Sequence, residues 1–360
     1  MPNLDEPIIT LCSVIYESAD DIERNTALTA RLNPGKHWRW LVTDNRPLPH
    51  PPLLFKDERV TVLQGVEKVH DFPRGAGAYH HAAGLHLALD RVTTPYLLIL
   101  DPDFFCVAPN WIDQAISHML SNGLTFLGAP WHPKWYNKYR YFPCVHCLFI
   151  DLRHFPSQEI DFRPIYHRED LCRTLNDSSF GPLKGLTKLL LSLERQIVDR
   201  TSTSNASGLS QERSTVASSF DTGYQIYMKA RAAKRLKFES FRPAFEPRSE
   251  FEGPPWAMSR FSRFLEKLLP ETRCFLPKDA SCYSTTKFRD LELPDVVGYG
   301  WEEFFWKDAP FGFHMRRQVR RDRSHDMEMT LLDQTLAAFV HYGNNGSQAL
   351  DWKRDILSVG

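Results

Sequence analysis

The chain of 360 residues is 42% hydrophobic, enough to bury the core of one large α/β domain with appendages or of two domains, which excludes a disordered or fibrous protein. Lys plus Arg and Asp plus Glu both number 44, so the molecule lacks the overall field of a general nucleic-acid binder and must meet any anionic partner locally. No apolar stretch approaches the roughly 20 residues that span a bilayer.

The amino terminus, Met1 to Pro7, has two acids and no basic run ahead of an apolar core, so we expect a cytoplasmic chain. Seven scattered cysteines, at 12, 106, 144, 147, 172, 274 and 282, read as reduced thiols rather than a disulfide framework. Ile8 to Ile15 is an apolar, β-branched run of the kind that makes a buried parallel strand. Ser18-Ala-Asp-Asp21 resembles a capping box opening a helix with Ile22, Leu28 and Leu32 on one face, stopped at Asn33-Pro-Gly35. Trp38 to Val42 reads as a second strand and, beyond the proline-rich Pro47 to Pro52, Arg59 to Leu63 as a third. Gly75 to Gly77 opens a helix carrying Ala82, Leu85, Leu89 and Val92, and Thr94-Pro95 closes it before the strongly apolar strand Tyr96 to Leu100.

Asp101 stands where that strand ends. Alternating strands and helices of this length imply a mostly parallel sheet with helices on both faces, whose ligands bind beyond the carboxyl ends of the strands. A helix near Trp111 to Leu120 and strands Thr125 to Gly128 and Cys144 to Asp151 extend it. Cys144 and Cys147 form a C-x-x-C, but three apart on a strand they would face opposite ways, so zinc is not expected.

Gly181 to Arg200 has helical apolar spacing at Leu183, Leu186, Leu190, Leu193 and Ile197. The Ser/Thr-rich residues 201–219 have little to bury and read as a mobile loop, either a flap over a site or an inserted surface loop. Glu250 to Leu269 interleaves Phe261, Phe264, Leu265 and Leu268 with basic residues, a pattern that suits core packing or a membrane surface.

Asp101-Pro102-Asp103 offers two carboxylates on a stiffened turn, a compact way to hold a hard divalent cation and leave positions open for phosphate. Together with the strand 8 to 15, Thr43-Asp44-Asn45, the Gly75-to-Leu89 helix and Leu98-Ile-Leu-Asp-Pro-Asp-Phe-Phe105, it resembles the nucleotide-diphospho-sugar glycosyltransferases of the GT-A fold, of the inverting, family-2-like kind. The resemblance is best over residues 7 to 155 and returns at Ser219 to Arg231 and Phe311 to Arg316.

That resemblance implies a GT-A-like, Rossmann-type α/β fold with a helical or irregular insertion and a carboxy-terminal extension. Residues 1–155 would bind the nucleotide-sugar, 156–325 the acceptor, and 326–360 would form a helical extension. Thr10, Ser13 and Tyr16 would line the nucleoside and Asp44 or Asn45 would hold the base, while Gly77, Tyr79 and His80 would stand at a helix amino terminus suited to an anion. Asp101 would face the ribose and share with Asp103 and His314 a divalent metal, Mn²⁺ or Mg²⁺.

Inversion needs a general base, for which Asp221 is the candidate; as a helix amino-terminal cap it has an ordinary structural use too. One arginine of the cluster 316, 317, 320, 321 and 323 would offset diphosphate charge as the leaving group departs. Trp131 and His132, in an aromatic-rich segment, and His146 would border an acceptor that is a glycan, a lipid-linked molecule or a small molecule, with peripheral contact at the inner face of a membrane where it is lipid-linked.

Gly75-x-Gly77 lacks the third glycine of a dinucleotide fingerprint, and no P-loop is present. A sugar nucleotidyltransferase would carry a glycine-rich basic loop after the first strand, where this chain has Cys12-Ser-Val-Ile-Tyr16. A catalytically silent nucleotide-sugar or glycan scaffold is the alternative outside enzymology.

Overall fold

The computed structural model describes residues 6–16, 18–47, 49–65, 76–135, 141–164, 222–233, 235–246, 282–316 and 324–345. The candidate base Asp221, the loop 201–219 and the two amphipathic segments 181–200 and 250–269 lie outside them.

The apolar runs form the expected strands: β1 (Ile9–Ile15), β2 (Trp38–Asp44), β3 (Val60–Gln64) and β4 (Tyr96–Leu100). With β6 (Phe126–Gly128), β7 (Cys147–Asp151) and β8 (Phe238–Ser240) they make a seven-stranded sheet in the order β3-β2-β1-β4-β7-β6-β8. Every described neighbour pair is parallel except the two that β7 makes, with β4 and β6. The fold is thus α/β with a mostly parallel sheet, as expected.

Helices cover both faces. Ile22 of α1 (Ala19–Leu32) and Trp111, Ile112, Ala115, Ile116 and Met119 of α3 (Trp111–Asn122) pack with Leu11, Trp40, Leu98 and Phe149 on one side. On the other, Ala82, Leu85 and Leu89 of α2 (Ala76–Leu89) and Tyr224, Ile226 and Tyr227 of α4 (Tyr224–Ala232) pack with Cys12, Leu97, Ile99 and Leu148. The alternation of Leu97 and Leu98 between the two clusters shows the two-residue period of a strand buried on both faces. Each such side chain contributes on the order of 2 kcal/mol by leaving water.

A second, four-stranded antiparallel sheet has the order β5-β11-β10-β9, from β5 (Phe104–Cys106), β9 (Arg242–Pro243), β10 (Glu302–Trp306) and β11 (Ala309–His314). Sequence reading gave no sign of it. One of its faces joins the main core through Phe304, Trp306 and Phe311; the other packs Phe305 and Phe313 with Met329, Leu332 and Phe339 of α5 (His325–Asn345).

Two local expectations need correction. Ser18 is the N-cap of α1, but its side chain makes no capping bond and Asp21 is fully buried, so the capping box is not formed. Strand β7 begins at Cys147 rather than Cys144, which lies in the preceding segment with Sγ 2.6 Å from His146 Nδ1.

Gly128 closes β6 against β7 so tightly that a Cβ there would sit 2.0 Å from the Cys147 carbonyl oxygen and 2.9 Å from its carbon. Both obstacles are backbone in a paired strand, which cannot swing aside. Gly128→Ala should lower unfolding stability by about 1–3 kcal/mol, read from urea denaturation followed by circular dichroism.

Candidate active site

The strand order 3-2-1-4 puts a reversal between β1 and β4: the chain steps outward from β1 to β3, then crosses by α2 to the other side of β1. A crevice outside the carboxyl ends of the strands opens at such a reversal. Asp101 immediately follows β4 at that place. Its main-chain N–H donates to the His146 carbonyl (3.0 Å), and its own carbonyl accepts from Phe104 N–H (3.0 Å), which closes the turn Asp101-Pro102-Asp103-Phe104. The amide of buried Asn25, on α1, donates to the carbonyls of Pro102 (3.1 Å) and Phe104 (2.7 Å), so the backbone on both sides of Asp103 is held from below.

The second sheet delivers the third group. Register pairs His314 with Phe104 on one side and Glu302 on the other, and Met315 N–H donates to the Asp103 carbonyl at 3.0 Å. His314 Nε2 then lies 3.1 Å from Asp103 Oδ1 and 3.9 Å from Asp101 Oδ2. One donor atom from each of Asp101, Asp103 and His314 falls within 4.8 Å of the others. Two ligands each about 2.1 Å from one octahedral ion stand about 3 Å apart, so the spacing suits a metal of that size. Two carboxylates and one imidazole are also a donor set that Mn²⁺ or Mg²⁺ accepts, with positions left for phosphate.

With no ion bound, only Asp103 is held in the protonation state a ligand needs, and a cation would have to displace protons from the other two. Burial opposes ionisation of Asp103, but His314 and Arg316 outweigh it and hold the carboxyl down at about 2. At Asp101 burial prevails over His81 and His314, with Asp103 adding repulsion, and raises the carboxyl. Burial and Arg316 oppose charge on His314, yet Asp103 and Glu302 raise it. His81, on α2, places Nε2 3.5 Å from Asp101 Oδ1, which ties the amino-terminal part of that helix to the site. Gly77, in its first turn, is exposed, with open space where a Cβ would be.

Behind the triad stands Glu302, with no solvent exposure. It accepts from Trp135 Nε1 (2.6 Å) and Arg316 Nε (3.1 Å), with Lys134 Nζ at 3.3 Å and His314 Nδ1 at 3.6 Å. The Arg316 guanidinium also lies 4.0 Å above the Trp131 ring, and its backbone is held at φ 51°, a left-handed conformation that non-glycine residues rarely adopt.

Other expected residues fall around this centre or away from it. Tyr16 is 36% exposed just past β1. Asp44 ends β2 in a bidentate pair with Arg46 (2.9 and 2.8 Å), and Asn45 donates to the His80 carbonyl (2.9 Å), joining β2 to α2. Tyr79 is half-buried and His80 buried in the same helix.

Thr10 does not reach the site: its neighbour on β4 is Leu97, four residues or about 13 Å of strand before Asp101. Its hydroxyl is bonded to Thr94 and accepts from Arg39. Ser13 is buried, donating to the Leu100 carbonyl (2.5 Å) and accepting from Trp40 Nε1 (2.9 Å), so it links strands rather than lining a ligand.

His132 and His146 are 3% and 1% exposed. His132 Nε2 donates to the Ala244 carbonyl and its Nδ1 accepts from Lys134 N–H, while burial and Lys134 push its pKa down to about 3. His146 packs against His314, ring centroids 4.9 Å apart, and burial keeps it neutral. Neither ring is open to an acceptor. Trp131 is half-buried and presents surface.

The cap of α4 is Gly223, in the left-handed conformation, so the cap position falls two residues after Asp221. Thr222, which follows Asp221, donates to the Ala78 carbonyl of α2 at 3.3 Å.

No protein-family model and no curated protein sequence matches the chain. Solved structures that resemble it include the mannosyltransferase PcManGT of Pyrobaculum calidifontis in complex with GDP-Man and Mn²⁺, at TM-score 0.30 and 13% identity over 44% of this chain and 48% of that one. S. aureus TarS 1-349 in complex with UDP-GlcNAc gives TM-score 0.30 and 13% identity over 43% and 48%. TarS 1-349 alone gives 0.28 and 12% over 43% and 50%, so the chain spans about half the length of the structures it matches. Overlaps this loose carry no weight for chemistry.

Proposed function

We propose that the chain is a metal-dependent glycosyltransferase that moves a sugar from a nucleotide-diphospho-sugar to an acceptor hydroxyl. The convergence of Asp101, Asp103 and His314 at the carboxyl end of β4, beside the amino-terminal part of α2, carries this reading. Asp101, Asp103 and His314 hold Mn²⁺ or Mg²⁺; the ion, when bound, neutralises the diphosphate and favours its departure. Tyr16, Asp44 and Asn45 flank the nucleoside at the ends of β1 and β2, and Gly77, with Tyr79 and His80 further along the first turns of α2, lines a helix amino terminus that suits an anion. Arg316 and Lys134 offset the charge that develops on the leaving group.

Asp221 serves as general base for an inverting transfer, a role supported by its neighbour Thr222 on the first turn of α2 and by the helix cap lying elsewhere. Trp131 offers the acceptor an aromatic face. In this reading residues 1–155 bind the donor, 156–325 serve the acceptor, and 326–360 extend the domain. The protein works in the cytoplasm, at the inner face of a membrane if the acceptor is lipid-linked; no described helix is long and apolar enough to cross one.

Thermal unfolding against a panel of nucleoside diphosphates and nucleotide-sugars, with and without Mn²⁺, tests the donor site. Ligand at about 100 times its dissociation constant adds roughly 2.7 kcal/mol. Stabilisation by one nucleotide, greater with Mn²⁺, is the expected result and identifies the base. Stabilisation by a glycan and by no nucleotide would replace the enzyme with the scaffold reading; release of pyrophosphate from a nucleoside triphosphate and a sugar phosphate would replace it with a nucleotidyltransferase.

A further inference from the structure

Glu302 belongs to no motif, yet the ladder of the second sheet sets it beside His314, and side chains of directly paired residues share a face. It is closed to solvent, with the Arg316 guanidinium at 3.1 Å and the Lys134 ammonium at 3.3 Å from its oxygens. A buried carboxylate needs donors wherever it sits, and an internal salt bridge would satisfy that need with one partner. Glu302 accepts hydrogen bonds from Trp135 and Arg316 and has two further groups against it, the Lys134 ammonium at 3.3 Å and Nδ1 of the candidate metal ligand His314 at 3.6 Å. His314 turns Nε2 to Asp103 and Nδ1 toward Glu302, 3.6 Å away and beyond a formed hydrogen bond; a carboxylate on that side of a ligating imidazole favours the tautomer that leaves Nε2 to a metal.

We propose that Glu302 is a positioning residue for the metal and diphosphate, orienting His314 as a ligand and holding Lys134 and Arg316 as a pair of cations for the phosphates. The inference rests on the metal site of the transferase reading. Its neighbour supplies a built-in control, because Glu303 lies on the opposite face of β10, with its carboxylate on the Phe288 N–H rather than at the site.

The test is Mn²⁺ binding to the full chain without nucleotide, followed by electron paramagnetic resonance of the free ion. Glu302→Gln should weaken Mn²⁺ by about 10–100-fold while Glu303→Gln leaves it unchanged. Glu302→Asp keeps the charge that its partners need and withdraws the carboxylate by about 1.5 Å; it should fall between Glu302→Gln and wild type. In the presence of saturating Mn²⁺, Lys134→Met should weaken UDP or GDP, whichever the wild type binds, about 5–10-fold. Wild-type Mn²⁺ affinity in a folded Glu302→Gln or Glu302→Asp variant, with the affinity lost in Asp103→Ala, would overturn the inference and leave the metal site standing. Mn²⁺ affinity indifferent to Asp103→Ala would remove the metal site and the inference together.

Discussion

Asp103→Asn should lower kcat/KM at saturating Mn²⁺ by at least about 1,000-fold while leaving the protein folded. Asp103 Oδ1 is the carboxylate atom nearest His314 Nε2, and the amide that replaces it is a weak, neutral ligand for a hard cation. A cation that stabilises the departing diphosphate contributes several kcal/mol to the transition state, and each factor of ten in rate corresponds to about 1.4 kcal/mol. Folding should survive because the turn is fastened through its main chain: Met315 N–H reaches the Asp103 carbonyl and Asn25 those of Pro102 and Phe104. The substitution also removes a charge that repels Asp101, partly offsetting the loss of the His314 contact. Product formation from the nucleotide-sugar that stabilises the wild type, measured beside melting temperature, checks both halves. Turnover within tenfold of wild type would eliminate Asp103 as a metal ligand.

The first four parallel strands, the helices between them and the position of Asp101 were legible because each rests on local signals: short apolar runs, a helical period, and Pro or Gly at the boundaries. The second sheet was not. Strands β5 and β9 have three and two residues, too few to show a period, and they pair with β11 and β10 from the far end of the chain. Glu302 could not be found without that pairing, since its role depends on standing opposite His314; two acids opening the aromatic run Phe304-Phe305-Trp306 were the only local trace. His314 was reached through resemblance, and its contact with Asp103 spans 211 positions. Thr10 failed because proximity in sequence to a strand end says nothing about which end, and β1 exposes only its carboxyl end to the crevice. His132 and His146 failed for a different reason: aromatic density marked their neighbourhood correctly but could not tell a sugar platform from rings with their nitrogens already bonded inward.

Glu303→Gln should raise stability at pH 9 and flatten its dependence on pH. The Glu303 side chain has no solvent exposure, and burial pushes its carboxyl up to about 8 against the pull of the Phe288 N–H and Lys287, with Asp295 and Asp290 adding repulsion. Oε2 accepts from Phe288 N–H at 2.8 Å, while Oε1 has no hydrogen-bond partner among the described residues. The folded protein therefore binds a proton that the unfolded chain releases near its ordinary value of about 4.5. Stability from this group is fully present below about pH 4.5 and is lost as pH rises through about 8, to the extent of about 4–5 kcal/mol at most. Glutamine keeps the acceptor for Phe288 and has no charge to bury. Buried neutral histidines such as His132 and His146 pull the other way, destabilising the fold as pH falls below about 6.5, so the wild-type curve alone mixes both effects. The difference between the two proteins cancels the histidines. Urea denaturation at pH 6 and pH 9 should show Glu303→Gln gaining on wild type by about 1–3 kcal/mol across that interval. A constant difference would mean that Glu303 is ionised in the fold throughout, with its charge met by Lys287.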